Sequence, residues 1–339
     1  MFHSAANPII RLVFFPVLLL FYLQYTGSPM PILPPIFVVV FLTIMPSKPP
    51  LNMLLKLLLV LLFISFGVVF FGGLLIDSPT GYALFCWSML FWSFYRSHHD
   101  PKDLISALVT LVVIIMTVLS EQFGAPIDIL PWMMFEAFVV AIMVTSISFV
   151  LFPGDEQDIL PDDVTSEAAE THIGLIVFKT TAMYIVLQAL IGLGTTQTML
   201  IAITIATMIK IPSPNEHRTF SQQKIITTVV GVLFTLPLML AVTFGIATWA
   251  LFGITIFLGL QLAGFAIRRQ CRLSVYQLLF TNFVVLTYQV IKHQGVESFS
   301  AELMRIVSIV IAVFFGALIL SLTKHRPVLK KKPLESTDT

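Results

Sequence analysis

Long uninterrupted runs of apolar residues constrain this chain more than any other feature of its sequence. The run LVTLVVIIMTVL at residues 108–119 carries no charged side chain, and comparable runs recur along the 339 residues. A bilayer core about 30 Å thick needs about 20 apolar residues to cross it as a helix, and lipid offers the backbone no hydrogen-bond partner. The runs lack the alternation of a membrane β-barrel. The sequence therefore predicts an all-α, polytopic integral membrane protein.

Composition points the same way and narrows the chemistry. Hydrophobic residues make up 57% of the chain and charged residues 11%, against about 25% charged residues in soluble domains. The two cysteines, Cys86 and Cys271, lie in or beside apolar runs and have neither disulfide nor metal-ligand spacing. We therefore expect no metal and no cofactor.

Proline, glycine and charge clusters divide the chain into about twelve predicted membrane spans. The predicted spans are 8–25, 30–46, 53–76, 81–96, 103–121, 129–152, 172–193, 196–211, 223–243, 246–266, 273–291 and 300–322. If both termini are cytoplasmic, all but two of the 19 basic residues, Lys292 and Arg305, fall on the cytoplasmic side. Short cytoplasmic loops carry an excess of Lys and Arg, so this asymmetry supports both the spans and the orientation.

The two halves of the chain share a pattern at an offset of 168 residues. The offset relates three pairs of residues: Arg11 and Lys179, Pro46 and Pro214, Lys56 and Lys224. Each half has six spans, an even number, so the two copies have the same orientation and form a parallel repeat. The basic stretch KIPSPNEHRTFSQQK, residues 210–224, is then the second copy of a cytoplasmic loop, and we expect no nucleic-acid partner.

Four segments follow from this repeat. Residues 1–153 form the first six-helix half, and 172–323 form the second. Between them, residues 154–171 are an acidic cytoplasmic linker with too few apolar residues to build a core. Residues 324–339 form a basic cytoplasmic tail. We expect the bilayer to surround both halves.

The pattern in the first half resembles a known family of efflux proteins. The first half contains, in this order, Arg11, the turn QYTGSPMPILPP, the loop MPSKPP and Lys56. This order resembles that of the fusaric acid resistance and aromatic acid exporter family. The region from Lys179 to Gly231 resembles the second copy. The short acidic linker differs from the cytoplasmic domain of longer members, so the chain looks most like a compact bacterial branch of unknown function (DUF2955-like).

The resemblance implies a location and partners. Members of the exporter family are multi-pass proteins of the bacterial inner membrane that export small aromatic or related carboxylic acids. Many act beside a periplasmic adaptor protein of the membrane-fusion type. The resemblance therefore implies a small organic anion as substrate and such an adaptor as partner, and it leaves open whether copies of the chain associate.

Four repeat-related basic residues are candidate substrate-binding residues, because an exporter of organic anions needs a cation beside an apolar wall. These are Arg11, Lys56, Lys179 and Lys224, and Lys56 and Lys224 are the stronger pair because each begins a span directly after its proline loop. The alternative interpretation is that all four are cytoplasmic anchors whose stems reach to the headgroups.

Two ionisable residues within predicted spans are candidates for coupling. Glu136 and Arg305 lie in the sixth and twelfth spans, and charges within a membrane are costly unless they face protein or water. They are expected to form an ion pair, or Glu136 carries a proton that drives transport. Both lie near the periplasmic end, so outward-facing side chains are the alternative.

The stretch RSHHDPKD, residues 96–103, raises the question of enzymatic activity. It places His98 and Asp103 at a spacing that some membrane-associated acyltransferases use. Asp100 and Pro101, however, are typical of a helix start, with Asp as the N-cap. With no globular domain to hold a donor, and no phosphate-binding loop, we expect neither an enzyme nor an ATP-driven pump.

The sequence thus predicts a secondary efflux transporter for small, aromatic carboxylic acids, with proton coupling as one way to drive it. Two other classes stay open. One is a membrane scaffold or assembly protein that transports nothing, and the other is a channel for small anions. Transport by the reconstituted chain, and its dependence on Lys56 and Lys224, separates these classes.

Overall fold

The chain folds into helices throughout the part that the structure describes. This computed structural model describes residues 6–28, 30–44, 51–100, 103–153, 173–194, 197–210, 214–292 and 296–323. The predicted linker 154–171 and tail 324–339 lie outside these ranges. The α-helices within them are α1 Asn7–Tyr25, α2 Leu33–Ile44, α3 Leu51–Leu75, α4 Pro79–His99, α5 Leu104–Thr117, α6 Leu130–Leu151, α7 Ile173–Leu193, α8 Thr198–Lys210, α9 Pro214–Thr243, α10 Thr248–Arg268, α11 Leu273–Lys292 and α12 Val296–Thr323.

Eight of the helices in the described ranges are long and apolar enough to cross a membrane. They are α1, α3, α5, α6, α7, α9, α10 and α11. Helix α5 reaches this length because a π-helical turn, Val118–Gln122, continues it, and a 3₁₀ turn, Ile127–Ile129, precedes α6. Shorter apolar segments lie in α2, α8 and α12. The all-α prediction is confirmed for these residues, and the eight helices fit a polytopic membrane protein.

The start of α5 corrects one prediction. Asp100 does not cap this helix, because its backbone N–H donates to the carbonyl of Arg96 at 3.0 Å and it ends α4 instead. The N-cap is Asp103, whose carboxylate accepts from the N–H groups of Ile105 at 3.3 Å and Ser106 at 3.0 Å. A carboxylate in this position satisfies two of the free N–H groups of the first turn.

Helix α9 also begins earlier than expected. The stretch 210–224 was predicted to be a loop, with the next span beginning at 223, but α9 starts at Pro214. Proline fits the first position of a helix because its missing N–H would have no partner there. Most of this basic stretch, residues 214–224, therefore forms about the first three turns of a long helix.

The helices pack in two sets of contacts. In the N-terminal half, α1 contacts α2, α2 contacts α6, and α3 contacts α4, α5 and α6. In the C-terminal half, α7 contacts α8, α8 contacts α12, and α9 contacts α10, α11 and α12. The most extensive contacts between the halves are α1 with α10, α4 with α7, α2 with α11 and α5 with α8. Helices of each half thus pack directly against helices of the other.

Close helix packing depends on glycine at one crossing between the halves. A Cβ atom added at Gly259 in α10 would lie 2.6 Å from Cγ1 of Val13 in α1 and 3.3 Å from the ring of Phe283 in α11. Small residues let membrane helices approach this closely. Gly259 therefore lies where three helices meet.

Candidate functional site

Three basic side chains are buried inside the described part of the molecule. Arg11 is 0% exposed, Lys179 is 2% exposed and Lys210 is 9% exposed. Moving an isolated charge out of water is costly, so a buried charge is normally held by polar groups. The contacts of these three side chains therefore indicate what each does.

Arg11 holds the C-terminal end of α6. Its Nη1 donates to the carbonyl of Phe152 at 3.0 Å, and its guanidinium carbon lies 4.0 Å from the ring centroid of Phe149. Asn7, one turn earlier on α1, donates to the carbonyl of Pro153 at 2.7 Å. The last carbonyls of a helix lack partners within the helix, and a cation is favourable there. Arg11 thus joins α1 to the end of α6.

Lys179 makes the corresponding contact at the end of α8. Its Nζ donates to the carbonyl of Ile209 at 3.1 Å and lies 3.2 Å from Nε2 of His98. Nδ1 of His98 is 2.9 Å from the carbonyl of Phe94. A carbonyl only accepts, so Nδ1 carries the hydrogen and Nε2 accepts from Lys179. His98 is therefore a neutral acceptor for a buried ammonium group.

Lys210 is the last residue of α8 and donates from Nζ to Oγ of Ser106 on α5 at 2.9 Å. Ser106 Oγ in turn donates to the carbonyl of Asp103 at 2.9 Å. Within the described residues, neither Lys210 nor Lys179 has a carboxylate at ion-pair distance. The nearby carboxylate of Asp103 is bound by Arg96, with N to O distances of 2.6 and 3.3 Å.

Asp103 is ionised, and its carboxylate is already bound by Arg96 and by the first turn of α5. Burial opposes its ionisation, but the hydrogen bonds from Arg96 and from the Ser106 N–H outweigh burial and lower its pKa below the usual value. Its side chain is 9% exposed, against 43% for Arg96. Asp103 therefore fixes the junction between α4 and α5 and leaves the Lys210 ammonium group available to another anion.

A cavity of about 290 Å³ lies beside Lys210, between helices of the two halves. Helices α2, α3, α5 and α6 line it from the N-terminal half, and α8 and α11 from the C-terminal half. The residues that line it are Ile36, Phe37, Val40, Phe41, Leu57, Leu104, Ala107, Leu108, Thr110, Leu111, Ile114, Phe138, Ile203, Thr207, Lys210 and Gln277. We refer to it as the central cavity.

Three phenylalanine rings form an aromatic wall of the central cavity. The ring centroid of Phe138 lies 5.3 Å from that of Phe37 and 5.0 Å from that of Phe41, with both pairs edge to face. Along α5 the lining extends from Leu104 to Ile114, which is about 15 Å at 1.5 Å per residue. The lining thus extends along α5 over a length equal to about half the thickness of a bilayer core.

The composition of this cavity matches that of a small-ligand site. Such sites are mostly apolar, with a few polar groups that orient the ligand. Here the polar groups are Lys210, Thr110, Thr207 and Gln277. One lysine among apolar and aromatic side chains can hold a small anion that has an apolar body. Within the described residues, no group of three His, Cys, Asp or Glu side chains could hold a metal ion.

The predicted substrate-binding residues lie in different environments. Arg11 and Lys179 are buried at the helix ends described above. Lys56 is exposed near the start of α3, and its neighbour Leu57, rather than Lys56, lines the central cavity. Lys224 is half-buried in α9 and also lies outside the lining. A substrate role for these four residues stays a prediction.

The coupling and enzyme candidates also have defined positions. Glu136 is exposed on α6, and the side chain of Arg305 in α12 lies outside the described part of the chain, so their ion pair stays a prediction. No hydrogen bond joins His98 to Asp103 in the described residues, because His98 contacts Lys179 and Phe94 while Asp103 contacts Arg96.

Sequence reasoning did not single out Lys210 as a candidate site residue. A basic residue at the end of an apolar helix is typical of a membrane anchor, and Lys210 has that position. Its helical spacing provides a signal, because Ile203, Thr207 and Lys210 follow the i, i+4, i+7 pattern of one helix face. All three line the cavity.

Comparison with known proteins assigns the N-terminal half a similarity to a described family. Residues 8–148 match a family model described as a protein of unknown function (DUF2955). The matched range covers nearly all of α1 to α6, so the DUF2955-like resemblance is confirmed for the N-terminal half. No curated protein and no solved structure matches the chain.

Proposed function

We propose that the protein is a secondary transporter that exports small aromatic carboxylic acids across the bacterial inner membrane. The observation that carries the proposal is the central cavity, which lies between the N-terminal and C-terminal halves and has a lysine at one end and an aromatic wall beyond it. Transporters built from repeats bind their substrates at the interface between the repeats.

The contact pattern supports two repeated six-helix halves. If six is added to each helix number, with α1 counted as following α12, most contacts of one half become contacts of the other. The contact between α1 and α2 becomes that between α7 and α8, and α2 with α6 becomes α8 with α12. The contacts between halves follow the same rule, since α1 with α10 becomes α7 with α4, and α2 with α11 becomes α8 with α5.

The chemistry of the cavity fits a carboxylic acid with a ring. The Lys210 ammonium group would bind the carboxylate among mostly apolar side chains, where the attraction is stronger than in bulk water. Phe37, Phe41 and Phe138 would contact the ring edge to face, as they contact one another. A volume of about 290 Å³ is at the small end of ligand pockets, which favours a single-ring substrate.

The distribution of basic residues and the membrane potential favour export. The proposed orientation places the Lys210 end of the cavity at the cytoplasm, with both termini on that side. A charge that crosses the membrane gains about 2.3 kcal/mol per 100 mV, and an interior-negative potential drives anions outward. Proton exchange would add to this drive, and Glu136 stays the predicted carrier.

Replacing the cavity lysine tests the proposal. We expect Lys210→Gln, reconstituted in liposomes, to transport radiolabelled benzoate at least about tenfold more slowly than the wild type, because the carboxylate loses its cation. Lys292→Gln is the matched control, since Lys292 is exposed and lies outside the cavity lining.

The alternative classes predict other results. A scaffold protein would give no benzoate flux in the wild type. A channel would give flux that does not saturate with benzoate concentration. Equal rates for Lys210→Gln and the wild type would contradict the role of the central cavity. Size-exclusion profiles and expression levels of both variants establish that the protein still folds.

A further inference from the structure

Two hydroxyl groups beside the central cavity share one backbone acceptor. Oγ of Ser93 in α4 lies 2.6 Å from the carbonyl of Ser106, and Oγ1 of Thr110 in α5 lies 2.9 Å from the same carbonyl. The two hydroxyl oxygens are 2.6 Å from each other. Both side chains are buried. These three oxygens therefore form a closed triangle of hydrogen-bonding distances.

The triangle has more contacts than hydrogens. A hydroxyl group has one hydrogen to donate, and a carbonyl has none. Ser93 and Thr110 together supply two hydrogens for three contacts. If both donated to the Ser106 carbonyl, two hydroxyl oxygens with no hydrogen between them would face each other at 2.6 Å. One hydroxyl must therefore donate to the carbonyl and the other to its neighbour.

One of the two arrangements leaves Thr110 able to turn towards a ligand. When Ser93 donates to the Ser106 carbonyl, that acceptor is satisfied, and the Thr110 hydrogen is used only in its contact with Ser93. Thr110 also lines the central cavity, whereas Ser93 does not. The Thr110 hydroxyl can then exchange its contact with Ser93 for one with an anion in the cavity.

The position of Thr110 relative to Lys210 completes the geometry. Lys210 Nζ is held by Ser106 Oγ at 2.9 Å, and Thr110 lies four residues after Ser106 on the same helix. Residues at this spacing lie on one helix face, with about 5–6 Å between their Cβ atoms. Two donors therefore lie on the same side of the cavity, about one helical turn apart.

We propose that Thr110 is the second carboxylate-binding residue of the central cavity, so that Lys210 binds one oxygen of the carboxylate and the Thr110 hydroxyl binds the other. The inference rests on the proposed function and deepens it. A hydrogen bond to an ionised acceptor is about twice as strong as one between neutral groups. It is therefore favourable for the Thr110 hydroxyl to exchange its hydrogen bond with Ser93 for one with a carboxylate. Ser93 acts as a positioning residue that keeps the Ser106 carbonyl satisfied.

Direct binding of benzoate to the purified full-length protein in nanodiscs tests the inference. Valine has the shape of threonine without the hydroxyl, so we expect Thr110→Val to weaken benzoate binding by about tenfold or more. Thr110→Ser keeps the hydroxyl and should bind benzoate within about threefold of the wild type. Neutral benzamide, which lacks the charged acceptor, should lose far less affinity in Thr110→Val than benzoate does.

Thr43→Val provides the matched control. Thr43 is buried in α2 but lies outside the lining of the central cavity, and its hydroxyl contacts the carbonyls of Val39 at 2.8 Å and Val40 at 3.1 Å on its own helix. We expect its removal to leave benzoate binding unchanged. Equal benzoate affinity in Thr110→Val and the wild type, with Lys210→Gln still defective, would overturn this inference alone. Absence of benzoate binding by the wild type would overturn the proposed function and this inference together.

Discussion

The buried ammonium group of Lys179 depends on two neutral acceptors. One is the Ile209 carbonyl and the other is Nε2 of His98, whose tautomer is fixed by its contact with Phe94. Removing one acceptor leaves a buried charge that is poorly solvated, which costs more than removing the charge itself. His98 is therefore important for stability through its contact with Lys179.

Replacing His98 should reveal this dependence. We expect His98→Leu to lower the free energy of unfolding by about 1.5–3 kcal/mol, because Lys179 loses a hydrogen bond from a charged donor. Adding Lys179→Met to His98→Leu should recover part of the loss, because the charge that needed the acceptor is gone. Thermal unfolding of the detergent-solubilised protein measures both effects.

The neighbouring histidine is the control for this residue pair. His99 is exposed at the end of α4, and its ring contacts Tyr95. His99→Leu should leave the unfolding temperature close to that of the wild type. A double variant that is less stable than His98→Leu alone would show that the Ile209 contact of Lys179 matters more than its charge.

At the scale of helices, the crossing of α1, α10 and α11 is the place where packing tolerates least change. Gly259→Ala would bring Cβ within 2.6 Å of a methyl group of Val13, a short branched side chain that cannot move aside easily. We expect a loss of about 1–3 kcal/mol in the free energy of unfolding, as for other overpacked positions. Thermal unfolding in detergent measures this loss.

A second glycine on the same helix separates packing from helix propensity. A Cβ atom at Gly253 would have no neighbour within 4 Å, so Gly253→Ala should be neutral or stabilise α10 by up to about 1 kcal/mol. Equal destabilisation by both alanines would contradict the argument from close packing.

The sequence predicts helices well but their ends less well. Apolar length alone identifies the long helices, because lipid leaves the backbone no alternative to internal hydrogen bonds. The ends depend on single polar contacts, and several residues compete for them. The sequence predicts Asp100 as the cap of α5, but Asp103 is the same residue type three positions later, and only the contacts with Arg96 and the first-turn N–H groups distinguish them.

At the scale of the whole molecule, the central cavity could not be predicted because its lining comes from six helices that are distant in sequence. Each helix contributes a stripe of ordinary apolar residues that could equally face lipid. The cost of burying a charge distinguishes Lys210 from an anchor, and burial is known only once the helices are packed. The repeat offset of 168 residues gives no signal for Lys210 either, because the related position in the first half is Leu42.

The proposed export of a monovalent anion predicts that transport responds to voltage. In inside-out vesicles, an interior-positive potential of about 100 mV, set with potassium and valinomycin, should concentrate benzoate inside by up to about 50-fold at equilibrium. Vesicles with Lys210→Gln serve as the control. Accumulation that is independent of the potential would instead indicate electroneutral exchange with another ion.

In the proposed export, the charge of Lys210 would place this voltage dependence in one step of the transport cycle. A bound carboxylate would leave the central cavity close to neutral, so the membrane field would act weakly on the loaded protein. Release would leave the cavity positive, and an interior-negative potential would draw it back towards the cytoplasm. The membrane potential would thus reset the empty carrier rather than push the substrate, and rapid current recordings should show charge movement in the return step.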